Sequence, residues 1–257
     1  MATNTRSWLN KDDRLPNVRK IFTPDPDYVW FEGDLKGADA QVVAWEADDE
    51  DLKEAFKKGL DVHVKNAEDM WGAEFSKLPK GSHARGQKRQ ECKHTVHGCN
   101  YGCSPRTTAI QRGWTVHEAE RFHNHWFSLH PGIRNWHRRV EAALQKNNTI
   151  QNAFGFKRIF FDRPDNNFTE ALAWIPQSTV AINSYAGYFQ LEERWPEIEP
   201  LLQNHDSMCW QWRKGRIPAV KDILETLKVK TPYPDPLYIP WDLKLSSFSW
   251  GDLQEAA

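Results

Sequence analysis

The chain has 257 residues, 39% of them hydrophobic and 27% charged, with a formal net charge of −1. That length allows one large domain or two intimate ones with a real core, the composition is that of an ordinary globular protein, and the near-zero charge argues against a general nucleic-acid coat protein. No apolar run approaches the roughly 20 residues needed to span a bilayer, the N-terminus lacks an apolar signal region, and four Cys without framework spacing read as free thiols in a reducing compartment, so the expectation is a cytoplasmic protein with no membrane partner.

Residues 1 to 27 are polar, with Pro16, Pro24 and Pro26, and read as an extended lead-in. Tyr28-Val-Trp-Phe-Glu-Gly-Asp34 is an aromatic, β-branched run and predicts a strand ending in a carboxylate. Ala40, Val43 and Ala44, then Leu52, Ala55 and Phe56, have helical spacing, with Gly59 as the stop. Acids crowd Trp45 to Glu54, whereas Lys/Arg crowd Lys77 to Lys93, so the neutral total hides a basic arm.

That arm leads into Arg89, Lys93, His97 and Tyr101, one every four residues. On a helix each such step turns the face by roughly 40°, so the four form one slowly winding ridge. Two cations followed by an imidazole and a phenol suit a polyphosphate at one end and a flat ring at the other. Thr115-Val-His-Glu118 is a capping box; Ala119, Phe122, Trp126 and Leu129 then line one face until Pro131 ends the helix. Ile133, Trp136, Val140 and Leu144 predict another helix, and both stripes read as core. Residues 149 to 161, with Gly155 inside, read as a hairpin-like turn, and Ile175-Pro-Gln177-Ser-Thr179 as the start of a further helix. Leu201 to Trp212 predicts a β-hairpin with His205-Asp206 at its tip. Positions 218 to 229 form an amphipathic helix, and the segment from Leu237 a final strand.

Several of these stretches together resemble family A (DNA polymerase I-like) DNA polymerases, over roughly residues 17 to 253. The ridge helix ending in Tyr101-Gly102 looks like that family's nucleotide-gripping fingers helix. Asp34-Leu-Lys-Gly-Ala-Asp39, with Asp61-Val-His63 and Trp71-Gly72 after it, resembles its motif A region. His205-Asp206 resembles the motif C turn, Phe154 to Arg158 resembles a DNA-contacting segment, and the tail resembles the closing residues.

The resemblance implies an α+β fold: an antiparallel palm sheet with a helical fingers insertion, divided as palm over 1–60, fingers over 61–168 and palm again over 169–257. It implies a DNA-directed DNA polymerase of a bacterial cell or phage-infected host, joining a dNTP to a primer 3′-hydroxyl on primer-template DNA. Asp34, Asp206 and the Leu35 carbonyl would hold two Mg²⁺ ions, with Mn²⁺ as the alternative. Ions about 3.5–4 Å apart suit in-line transfer of a phosphoryl group. Arg89, Lys93 and His63 would bind the triphosphate, Lys93 also donating a proton. His97 and Tyr101 would stack on the base, with Asp39 under the sugar. Gln177, His205 and Arg158 would contact nucleic acid.

Some positions depart from the pattern. His97 stands where relatives have Phe or Tyr, Asp39 replaces a Glu, Ser178 replaces Gly, and Ser207 replaces the Glu of His-Asp-Glu. The family's thumb and exonuclease-type parts precede motif A, and little precedes it here, so the expectation is the palm-and-fingers piece of a divided enzyme with a second chain as partner. Two alternatives are a non-catalytic DNA-binding remnant and a zinc-stabilised module built on Cys92, Cys99 and Cys103 with His94 and His97.

Overall fold

A computed structural model describes residues 16–256. Most of the expected lead-in thus lies outside the described residues, and what is described is not wholly extended: a 3-10 turn runs Val18–Ile21, with the Asn17 side chain accepting from the Arg19 N–H. Strand β1 spans Tyr28–Leu35. The helical run expected over 40–56 is two helices, α1 (Ala38–Glu46) and α2 (Glu50–Lys57). Asp48 takes φ 52° between them, and Asp49 accepts the Leu52 N–H as a new N-cap. Carboxylates that cap well make a helix restart rather than continue.

Helix α3 (Val62–Trp71), capped by Asp61, and the short α4 (Ala73–Ser76) follow. The ridge lies on α5 (His83–Asn100), whose N-cap is Ser82; Tyr101 is its C-terminal cap rather than a helical residue. Next come α6 (Pro105–Arg112), α7 (Val116–Leu129) with both bonds of the capping box, and α8 (Pro131–Asn147). Pro131 ends α7 and opens α8, because a missing N–H costs nothing in a first turn. β2 (Thr149–Gln151) and β3 (Lys157–Ile159) form the small hairpin.

The helix expected to begin near Ile175 begins earlier: α9 runs Pro164–Arg194 with Pro176 inside it. The Ile175 carbonyl accepts from the Thr179 and Ser178 hydroxyls at 2.8 and 3.2 Å, local bonding of the kind that lets a helix bend without breaking. The remaining elements are β4 (Glu199–Asn204), β5 (Ser207–Arg213), α10 (Val220–Thr226), β6 (Trp241–Ser246), a 3-10 turn at Trp250–Asp252 and β7 (Gln254–Glu255). Among the described residues no helix is long and apolar enough to cross a membrane.

Two compact units divide the chain. The sheet unit comprises residues up to Lys36, Ala181–Lys230 and Tyr238 onward; the helical unit comprises Gly37–Val180 and Thr231–Leu237. The fold is therefore α+β as expected, with the helical segment inserted in sequence between β1 and the later strands. The sheet is antiparallel, in the order β4-β5-β1-β6-β7.

Alternation gives the sheet two different faces. Phe31, Gly33 and Leu35 share one with Met208, Trp210, Trp212 and Trp241. Phe31 lies 5.4 Å from Trp212 and 6.0 Å from Trp210, ring to ring, and Tyr188 of α9 lies 6.4 Å from Trp210. Rigid rings fill this layer, so the strand between them must be thin. A Cβ on Gly33 would come within 2.9 Å of the Trp210 ring and 3.0 Å of Trp241.

Gly33→Ala is therefore expected to cost about 1–3 kcal/mol through overpacking. Gly86→Ala, at the fourth residue of α5 with open space around it, is expected to stabilise by up to about 1 kcal/mol. Urea unfolding of the two variants reads both signs.

Candidate functional site

In the sheet unit, β1 and β5 pair so that Asp34 faces Ser207 across the strands. The Leu35 N–H donates to the Asp206 carbonyl at 3.2 Å, which joins the exit of β1 to the β4–β5 tip. That tip is a two-residue turn, since Asn204 pairs with Ser207. His205 occupies it with φ 59°, a conformation that non-glycine residues adopt at some cost. Its Nδ1 is 3.9 Å from Asp206 Oδ1. Asp34 and Asp206 are both partly exposed, and His205 is exposed. The sequence-predicted Asp34, Leu35, His205 and Asp206 thus come together.

The other face of β1 is polar around them. Asp242 of β6 faces Asp34 and is paired with Lys36 at 2.6 Å. Ser207 is fully buried, and its hydroxyl is 2.9 Å from the Asn204 carbonyl and 3.3 Å from Glu32 Oε1.

In the helical unit, α5 presents two unlike sides. Cys92, Thr95, Val96, Cys99 and Asn100 are buried, while Lys93 and His97 are exposed and Arg89 and Tyr101 partly so. The ridge thus runs along a side adjoining the packed stripe. Asp61 accepts a fork from Arg89, at 3.0 Å from Nε and 2.9 Å from Nη2. The same carboxylate caps α3 through the His63 and Val64 N–H groups. Burial pushes Asp61 up, but the Arg89 bonds and these backbone bonds hold it below the usual carboxylate range.

His63 follows directly. Burial, then the charges of Lys93 and Arg89, push its imidazole down to about 4, against an upward pull from Asp61 and with His97 adding to the lowering. It is neutral at pH 7, and its Nδ1 is buried without a hydrogen-bond partner. At the end of the ridge the His97 and Tyr101 rings are 4.3 Å apart. The Tyr101 hydroxyl is pushed far up by burial and by the neighbouring Asp39 carboxylate. Asp39, His63, Arg89, Lys93, His97 and Tyr101 therefore form one connected group.

Two more predicted residues lie elsewhere in the helical unit. Gln177 is exposed on α9, one residue past Pro176. Arg158 of β3 is paired with Glu170 and lies over the Phe160 ring at 4.7 Å. Among the described residues the zinc alternative finds no converging ligand set. Cys92 and Cys99 are buried, and burial pushes the Cys92 thiol up to about 12 and Cys99 higher still. Among the described residues one set of three side chains with metal-binding atoms converges, and it contains no cysteine. That set is Asp49, Asp51 and His130, where Asp49 bonds His130 Nδ1 at 3.0 Å and Asp51 bonds Lys65.

Sequence reading missed Asp61 as the partner of Arg89, and Glu32 and Asp242 as neighbours of Asp34. An Asp two residues before a histidine at a helix start is a legible cap signal, and Glu32 shares the side of Asp34 by simple alternation. Asp242 needed the β1–β6 register.

Comparison with known proteins gives a consistent result. The model for "DNA polymerase family A" matches residues 9–246. A thermostable DNA polymerase I from Thermus filiformis is 25% identical, over 95% of this chain and 30% of that protein. A DNA polymerase from Mycobacterium phage D29 is 25% identical, over 93% of this chain and 37% of its own length. The fold matches the POL domain of Pol1 from M. smegmatis, solved with DNA primer-template and dNTP, with a TM-score of 0.80 at 19% identity, covering 95% of this chain and 44% of that one. The chain thus spans about a third of the length of these curated relatives.

The lowered His63 fixes a pH dependence. Below its ordinary value of 6.5 the unfolded chain takes up a proton that the folded chain refuses until about 4, so this residue costs stability as pH falls through that window. His63→Gln is expected to remove about 1 kcal/mol of the loss between pH 6.5 and 5.5, read from urea midpoints of both proteins at the two pH values.

Proposed function

The chain belongs to DNA polymerase family A, and from that premise we propose that it carries out template-directed nucleotidyl transfer from a dNTP to a primer 3′-hydroxyl, releasing pyrophosphate. The observation that carries this reading is the β1–β5 register, with Asp34 opposite Ser207 and Leu35 bonded to Asp206 at 3.2 Å. Two partly exposed carboxylates and the Leu35 carbonyl are hard oxygen donors at one strand end, a set that fits Mg²⁺, which keeps water and substrate phosphate among its ligands. Bound there, a pair of such ions supplies Lewis acidity for the phosphate and makes the attacking hydroxyl more acidic.

The protein's own residues do the rest. Arg89 is oriented by Asp61 along one edge of its guanidinium, leaving the Nη1 edge for a phosphate oxygen. Lys93 is exposed on the same ridge; it binds the triphosphate and hands a proton to the departing pyrophosphate. His63, kept neutral by burial and by the charges of Lys93 and Arg89, contacts the triphosphate. His97 and Tyr101 form the wall on which the base stacks, with the Asp39 carboxylate beside the Tyr101 hydroxyl. Gln177, His205 and Arg158 contact primer and template, Arg158 by exchanging Glu170 for a DNA phosphate.

In this reading residues 1–60 and 169–257 are palm and 61–168 fingers, working in the cytoplasm of a bacterial or phage-infected cell. Since phosphate contacts supply most non-specific DNA affinity, a second chain carrying thumb and exonuclease parts is included in this proposal as a partner.

A primer-extension assay tests the central reading. The native chain extends a primer, and Asp206→Ala lowers the rate by more than about a hundredfold, beyond what loss of an outer-shell group causes. No extension by the native chain, alone or with candidate partner chains, identifies a non-catalytic remnant. Highly processive extension by the lone chain removes the divided-enzyme part. Because Asp39 is one methylene shorter than Glu, it leaves room for a 2′-hydroxyl. Asp39→Glu is expected to raise selection of dNTP over rNTP by about tenfold, and equal selectivity in the two proteins removes that idea.

A further inference from the structure

The small β2–β3 hairpin of the helical unit is tied to α9 at two points. Arg158 of β3 is paired with Glu170, and the Asn152 side-chain amide donates to the Ser178 hydroxyl at 2.9 Å. Glu170 and Ser178 both belong to α9, about 12 Å apart along a helix axis. Asn152 is buried and fastens the hairpin tip as well. Its Oδ1 accepts the Phe154 and Phe156 N–H groups, each at 3.1 Å, and its own N–H donates to the Phe156 carbonyl at 3.0 Å. The Ser178 hydroxyl accepts from Asn152 and donates to the Ile175 carbonyl at 3.2 Å, so donors and acceptors alternate along the whole chain of bonds. Glycine, the residue that Ser178 replaces, would offer the buried amide no side-chain acceptor.

Each strand of the hairpin has three residues, and so short a two-stranded ladder has little stability of its own. When Arg158 exchanges Glu170 for a DNA phosphate, as proposed, one of the two ties is given up. We propose that Ser178 is a positioning residue for DNA binding: through Asn152 it keeps the hairpin on α9 while Arg158 engages phosphate. Arg158 and the exposed Gln177 beside Ser178 then meet DNA as one preformed surface. Without the Asn152–Ser178 bond the hairpin is ordered only at the moment of binding, and that ordering lowers affinity. The inference rests on the reading that Arg158 contacts a DNA phosphate.

The test is equilibrium binding of a fluorescein-labelled primer-template duplex to the whole chain, followed by anisotropy from about 50 to about 200 mM salt, with melting temperature measured on the same proteins. Ser178→Ala keeps a good helix former in α9 and removes the hydroxyl. It is expected to weaken binding about tenfold at the lowest salt, the scale of a lost bond to a buried amide. The plot of log affinity against log salt is expected to become shallower by about 0.9, the share of one phosphate contact. Ser178→Thr restores the hydroxyl and is expected to bind within about threefold of the native protein. Arg158→Ala is expected to show the same shallower slope, and adding Ser178→Ala to it to weaken binding by less than about twofold further. Should Ser178→Ala fail to fold, Ser178→Gly removes the same hydroxyl and is read in the same way. A lowered melting temperature with the native salt slope is a structural loss only and overturns the proposal. Native affinity and slope in Ser178→Ala, with weakened binding in Arg158→Ala, overturn the role of Ser178 alone. Native binding in Arg158→Ala, or no binding by the native chain, overturns the DNA contact on which it rests.

Discussion

Two carboxylates brought to the same edge repel each other, and the sheet unit is organised so that they cannot drift apart. The constraint is backbone pairing. β1 is bonded on both sides, and a further bond at 3.2 Å ties Leu35 to the tip that carries Asp206. Beneath the pairing lies a layer of tryptophan rings with little freedom, and Gly33 exists where those rings press closest. Apolar packing on one face thus fixes charge on the other. A sheet that could slide by one residue would turn every acid into the core.

The helical unit solves a related problem for positive charge. Arg89, Lys93 and His63 crowd one side of it, and crowding cations without a ligand is unfavourable. Asp61 neutralises the arginine while capping α3, and His63 sheds its proton altogether. The result is a strongly polarised surface whose resting charge is lower than its composition suggests. Behind it, two buried thiols that stay protonated let α5 pack without adding charge of their own.

Where local chemistry decided the structure, the sequence was legible. The strand ending at Asp34, the capping box at Thr115, the stripes of α7 and α8 (except Leu129, which is exposed at the end of α7) and the hairpin bearing His205-Asp206 all follow from alternation, helical period or turn preference. Weakly patterned helices were not legible in that way: α3, α4 and α6 are delimited by Asp61, Gly72 and Ser104 at their N-terminal ends rather than by an apolar stripe. The break at Asp48 and the passage of α9 through Pro176 turned on side-chain bonds that compete with backbone ones. For the candidate site, periodicity showed the ridge but assigned no role to Asp34 or Asp206, which came from family resemblance. The hold of Asp61 on Arg89 spans 28 positions and became visible only once α3 and α5 were folded.

The tip at His205-Asp206 also limits what this chain can become. With two residues between the paired Asn204 and Ser207, the connection has no slack. A single inserted residue that shifted the pairing would rotate Met208 and Trp210 onto the charged side and send Ser207 and Cys209 among the rings. Natural drift or deliberate remodelling can therefore exchange side chains at this turn but not change its length, and room for new loops must be sought where the strands are joined by longer, exposed segments.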